Sequence, residues 1–99
     1  MPVSMNTEDV LRVLRSEKPR LQKQFPLRAM WLFGSVVRGE AGEHSDIDIL
    51  VDVKPEIGLR MVELGDELEA LLGHPVDLVS TRALRGRLLR QIELERQDV

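Results

Sequence analysis

Residues 46–53, Asp-Ile-Asp-Ile-Leu-Val-Asp-Val, constrain the fold more than any other stretch. Side chains alternate across a β-strand, so Ile47, Ile49, Val51 and Val53 project to one face while Asp46, Asp48 and Asp52 project to the other. An unbroken apolar row of this kind needs a covering layer. Amphipathic helices on either side of the strand can supply one. Asn6 or Thr7 caps a first helix carrying Val10, Leu11, Leu14, Leu21 and Phe25. Pro19 predicts a kink or restart in it, and Pro26 ends it. Leu59–Leu72 places Met61, Leu64, Leu68, Leu71 and Leu72 on one stripe and Glu63, Asp66, Glu67 and Glu69 on the wet face, with Gly73 as its stop.

Two further strands follow from short apolar runs, Leu27–Phe33 and Val76–Val79. A short helix is expected over Ser35–Glu40, closed by Gly39 or Gly42. Ser80 or Thr81 caps a final helix with Leu84, Leu88, Leu89 and Ile92. The order α-β-α-β-α-β-α makes an α/β fold with a small three-stranded sheet packed with helices. The segment from the first strand to the second is too short for a long crossover helix, so the sheet is mixed rather than wholly parallel.

At 99 residues, with 42 % hydrophobic and 31 % charged residues, the chain supports one domain over 1–99 and one core. A core this small leaves apolar faces for a partner. No apolar run approaches membrane-spanning length, and the polar N-terminus has no export layout, which gives a cytoplasmic expectation. The absence of cysteine removes disulfides, thiol catalysis and zinc fingers. Any metal site must be built from oxygen ligands, which suits Mg²⁺, Mn²⁺ or Ca²⁺. The net charge of −3 argues against general DNA binding. It is unevenly spread: residues 1–28 carry +3, residues 29–81 carry −8 and residues 82–99 carry +2.

The acidic middle contains the chemistry. Gly34–Ser35 follows a buried strand, where glycine permits a sharp turn and close approach of a ligand. A helix beginning there would offer unpaired N–H groups to a phosphate. Asp46 and Asp48, two apart on a strand, share a face and can share a divalent cation. Two like charges this close favour a metal or a raised pKa. Taken singly, a Gly–Ser turn is usually only a turn and an Asp-x-Asp strand only a solvated edge. Together they form an ordered constellation.

Gly34-Ser35-Val36-Val37-Arg38-Gly39 followed by Ser45-Asp46-Ile47-Asp48 resembles the signature of the DNA polymerase β-like nucleotidyltransferase superfamily. The brevity of the chain and the later Pro75-Val76-Asp77-Leu78-Val79 resemble its minimal nucleotidyltransferases, the antitoxin halves of HEPN–MNT toxin–antitoxin pairs. The resemblance spans roughly residues 6–95 and implies transfer of AMP from ATP to a hydroxyl. It implies Asp46, Asp48 and Asp77 as catalytic carboxylates and metal ligands for Mg²⁺, two ions being possible and Mn²⁺ not excluded. Gly34 and Ser35 match the triphosphate cradle, and Arg38 and Ser45 lie within the same nucleotide-binding signature. On its own chemistry Arg38 either contacts the triphosphate or closes an ion pair. The implied partner is a HEPN-family ribonuclease toxin, and the implied acceptor a tyrosine hydroxyl.

Two alternatives stand beside this reading. One is a non-catalytic antitoxin that neutralises the toxin by occlusion, and the other is a nucleotidyltransferase acting on RNA or a small molecule. Asp52, His44, His74 and the arginines of the last helix read as surface residues, and Trp31 as core.

Overall fold

A computed structural model describes residues 2–42 and 44–99. Helix α1 runs over Thr7–Gln24, with the Asn6 side chain accepting from the Asp9 amide at its start. It is continuous through Pro19 for 18 residues, so the expected break there does not occur. Pro19 and Arg15, whose carbonyl would have accepted the missing N–H, both lie on the exposed side. Leu11, Leu14 and Leu21 keep the inner face in register.

Strand β1 is Leu27–Phe33 and β2 is Ile47–Val53, paired antiparallel from Leu27↔Val53 to Phe33↔Asp48 with one irregularity between Leu27 and Ala29. A 3₁₀ turn over Pro55–Ile57 leads into α2, Arg60–Leu72, which ends on Gly73 at φ 71°. Strand β3, Val76–Ser80, returns parallel to β2, and α2 is the crossover between them. A second 3₁₀ turn at Thr81–Ala83 carries the Ser80 cap, so the final helix α3 starts later, at Gly86, and ends at Glu95. Strand β4, Gln97–Asp98, then pairs antiparallel with β1. The sheet is mixed, as expected, but has four strands in the order β3-β2-β1-β4 rather than three. A two-residue strand carries no periodicity, which is why the sequence does not announce it.

The second difference lies at residues 35–40, which form turns rather than a helix. One helical turn is made and then closed: the Arg38 amide donates to Gly34 O, the Gly39 amide to Val36 O and the Glu40 amide to Ser35 O. The last two bonds are a Schellman closure, with Gly39 at φ 72° as its left-handed residue. Gly39 thus stops the helix as expected, only sooner.

The sheet is covered on both faces. Ile47, Ile49, Val51 and Val53 meet α1 and α2 in the larger core. On the opposite face, where the alternation puts Asp48 and Asp52, Leu50 is fully buried with Phe33, Leu84 and Ile92 under α3. Among the described residues no helix is long and apolar enough to cross a membrane.

Candidate active site

Strand register assembles the site. Phe33, Asp48 and Asp77 form one row across β1, β2 and β3 on the α3 side of the sheet. The next row on that face is Trp31, Leu50 and Val79, which α3 covers. In the Asp48 row Phe33 is still buried with Ile92, and it is the carboxylates of Asp48 and Asp77 that lie beyond that cover. The start of β2 is tied to β3 by the Ile47 amide, which donates to Pro75 O at 2.9 Å. The carboxylates of Asp48 and Asp77 therefore sit on neighbouring strands at the same level, and Asp46 is exposed just ahead of β2.

The Asp48 carboxyl is pushed up to about 6. Partial burial is the largest cause, and the charges of Asp77 and Asp46 add to it. The Ser35 backbone amide, by hydrogen bonding, and the Arg38 charge pull the other way. The site thus concentrates negative charge that the surrounding protein only partly balances.

Gly34 shapes the approach to Asp48. It is buried, with φ 78°, and a methyl group built on it would fall 2.8 Å from Asp48 Cγ and overlap Oδ2. Glycine is needed here both for backbone conformation and for contact with the carboxylate. The turn beyond it is pinned from α1, where Thr7 Oγ1 donates to Val36 O at 3.1 Å and the Val36 side chain is buried in the main core.

The donors of this elbow are not all free, contrary to the cradle expected at Gly34 and Ser35. The Gly34 amide donates to Glu95 Oε1 at 3.0 Å. Arg38 is engaged too. Its Nη1 lies 3.1 Å from both Glu95 carboxylate oxygens, and its Nε donates to Glu40 Oε2 at 2.9 Å. Of the two roles open to Arg38, the structure displays the ion pair. Ser45 Oγ accepts from the Gly42 amide at 2.9 Å, closing the turn that delivers Asp46. Glu95 escaped the sequence reading because nothing local marks a glutamate at a helix end that meets a glycine 61 residues away.

The residues read as surface residues divide. Asp52 faces Arg28 at 3.8 Å. His74 is half-buried, with Nε2 2.7 Å from Val3 O, which departs from the expected solvated role. Trp31 is half-buried beneath Arg96, whose guanidinium lies 4.5 Å from the ring centre.

The donor set suits a hard divalent cation, because carboxylate oxygens are what Mg²⁺ prefers and Asp48 bears a charge its neighbours oppose. Among the described residues no group of three or more acidic or histidine side chains is already arranged to hold a metal ion. Asp46 and Asp77 are both exposed.

Comparison with known proteins agrees with this fold. The model of the nucleotidyltransferase domain family matches residues 14–99. The chain is 41 % identical over 90 residues to the protein adenylyltransferase MntA of Thermococcus cleftensis, covering 89 % of this chain and 90 % of that protein. Its fold is similar to that of a protein assigned as a minimal nucleotidyltransferase, with 39 % identity, a TM-score of 0.74 and coverage of 90 % and 92 %. It is also similar to a chain in a toxin–antitoxin structure with AMP-PNP, with 29 % identity, a TM-score of 0.65 and coverage of 90 % and 68 %. A fourth match lies in a complex of tri-AMPylated Shewanella oneidensis HEPN toxin with MNT antitoxin, with 26 % identity, a TM-score of 0.57 and coverage of 92 % and 66 %.

Proposed function

Since the chain belongs to the nucleotidyltransferase domain family and is a nucleotidyltransferase, we propose that it is an antitoxin that transfers AMP from ATP to a tyrosine hydroxyl of a cognate HEPN ribonuclease toxin. The observation that carries this is the Asp48–Asp77 pair, in register on parallel strands beside the Gly34–Ser35 elbow. The similarity to a protein adenylyltransferase and to chains in AMP-PNP and AMPylated-toxin complexes supports the choice of nucleotide and acceptor.

In this reading the elbow and Ser35 receive the triphosphate, and Arg38 sets the positive charge beside it. The acceptor oxygen forms a bond to the α-phosphorus as the bond to the pyrophosphate oxygen breaks. Pyrophosphate leaves, and the hydroxyl proton passes to Asp77. Asp46, Asp48 and Asp77 would hold Mg²⁺, which neutralises charge on the phosphates when bound. Asp48, already opposed by its neighbours' charges, gains most from such a counter-ion.

The test is incubation with α-labelled ATP, Mg²⁺ and the HEPN toxin. Label on the toxin is expected with the wild-type chain and none with Asp48→Asn. A folded wild-type chain that leaves the toxin unlabelled refutes the reading, and label on RNA instead redirects it.

One observation favours a second reading, neutralisation by occlusion alone: Gly34's amide is already satisfied by Glu95. Under that reading the double variant Asp46→Asn with Asp48→Asn neutralises the toxin as well as wild type does. Loss of neutralisation by a double variant that still forms the complex decides for catalysis.

A further inference from the structure

Besides Asp48, a second acidic side chain reaches the elbow from another part of the fold: Glu95, at the end of α3. Its carboxylate is mostly covered, with 17 % side-chain exposure, and accepts from the Gly34 amide and the Arg38 guanidinium together. Its position opposes its own helix. A negative charge at the C-terminal end of α3 meets the partial negative charge of the last carbonyls, which is unfavourable. The contacts to Gly34 and Arg38 are what offset it.

The arm that carries Glu95 is fixed on both sides. Upstream, Ile92 is buried with Phe33, the residue that precedes the elbow. Downstream, Arg96 lies over Trp31, and the chain end is held by Arg15 Nη2 on Asp98 O at 2.7 Å and Lys18 Nζ on Val99 O at 2.8 Å. A carboxylate delivered by so constrained an arm restrains what it binds. Gly34 needs restraint, because the missing Cβ that lets it approach Asp48 also leaves its peptide free to rotate.

We infer that Glu95 is a positioning residue for nucleotide binding: it locks the Gly34 peptide and the Arg38 guanidinium in the arrangement that receives the triphosphate, without itself touching the nucleotide. The elbow is gripped between Asp48 on one side and Glu95 on the other. This inference rests on the nucleotidyl-transfer reading and adds to it a residue outside the signature.

The experiment measures binding of Mg²⁺ with a non-hydrolysable ATP analogue, and separately KM for ATP and kcat, for wild type, Glu95→Gln and Glu95→Ala. Melting curves establish that each is folded at the assay temperature. Glu95→Ala leaves the Gly34 amide unpaired and releases Arg38, and should weaken analogue binding about tenfold. KM should rise by a similar factor while kcat at saturating ATP stays within about threefold. Glu95→Gln keeps an acceptor for Gly34 but loses the charge facing Arg38, and should recover most of the affinity, about two- to threefold short of wild type.

Unchanged binding and KM in both variants, with only the melting temperature lowered, overturns the inference and leaves a structural brace. Tighter binding by Glu95→Ala also overturns it, since the carboxylate would then be a competitor occupying the phosphate's donors. If Glu95→Ala does not fold, Glu95→Gln decides alone, and an unchanged KM counts against the inference. Failure of the wild-type chain to bind the analogue refutes the function proposed above, and the inference falls with it. Normal wild-type binding with unaltered variants refutes the inference only.

Discussion

Gly34 and Gly39 both stand at positive φ, at 78° and 72°, yet differ in surroundings. A methyl group on Gly39 meets nothing within 4 Å, whereas one on Gly34 overlaps the Asp48 carboxylate. Gly39→Ala therefore bears only backbone strain, about 1–2 kcal/mol, or about 4–8 °C in Tm per kcal/mol for a domain of this size. Gly34→Ala bears the same strain and must also move Asp48. That carboxylate is half-buried and can swing outward, so the added stability cost is modest, about 1 kcal/mol. Activity responds differently, since a displacement of about 1 Å in a catalytic group is worth about 100-fold. The expected result is two folded proteins of broadly similar stability. Gly39→Ala should transfer label within about threefold of wild type, and Gly34→Ala at least about 100-fold more slowly. Melting curves and initial rates of label transfer at a temperature where both are folded give the comparison. Gly34→Ala with more than a third of wild-type activity, or an equal activity loss in Gly39→Ala, refutes the role assigned to the contact.

The Asp48 carboxyl, at about 6 in the folded chain, lies above its unfolded value of about 3.9. The folded state therefore binds the extra proton between about pH 4 and 6, and stability falls as pH rises through that window. In chelator, Asp48→Asn should melt above wild type at pH 7.5, by about 1 kcal/mol after solvent screening, with the difference vanishing near pH 4; equal melting at pH 7.5 would count against the charge clustering. Pro19→Ala restores a donor inside α1 and removes a helix-breaking ring, so thermal unfolding should show a gain of about 1–3 kcal/mol with activity unchanged. Arg96→Ala should cost about 0.5–1 kcal/mol and shift the emission of Trp31, the sole tryptophan, because the guanidinium over its ring is lost.

What was legible in the sequence was local. The alternation in 47–53 marks β2 and its apolar face because one buried row recurs every second residue. Gly73 and Gly39 act as stops because a left-handed residue ends a helix whatever surrounds it. Asp48 and Asp77 come level because β2 and β3 are parallel with α2 between them. Three things were not legible, each for a reason of range. Strand β4 has two residues and is specified by pairing with β1 rather than by its own pattern. Leu50 reads as an outlier on an acidic face until α3 is seen to cover it. Glu95 is distinguished only by its contact with Gly34.

The covering of that face also explains where the site can be. Asp48 and Leu50 share one side of β2, yet one is opposed by its neighbours' charges and the other is wholly buried. The difference is the reach of α3, which packs Ile92 over the Trp31–Leu50–Val79 row and terminates at Glu95 beside the next. A longer or differently placed helix would bury the Asp48 row, and two adjacent carboxylates in an apolar setting without a counter-ion are too costly to hold charged. A shorter one would leave Leu50 and Phe33 exposed and the Gly34 amide without a partner. The end of α3 is therefore set by opposing demands, apolar cover for Leu50 and Phe33 and solvent access for the carboxylates of Asp48 and Asp77. Glu95, at that boundary, carries the contact that joins the second core to the elbow.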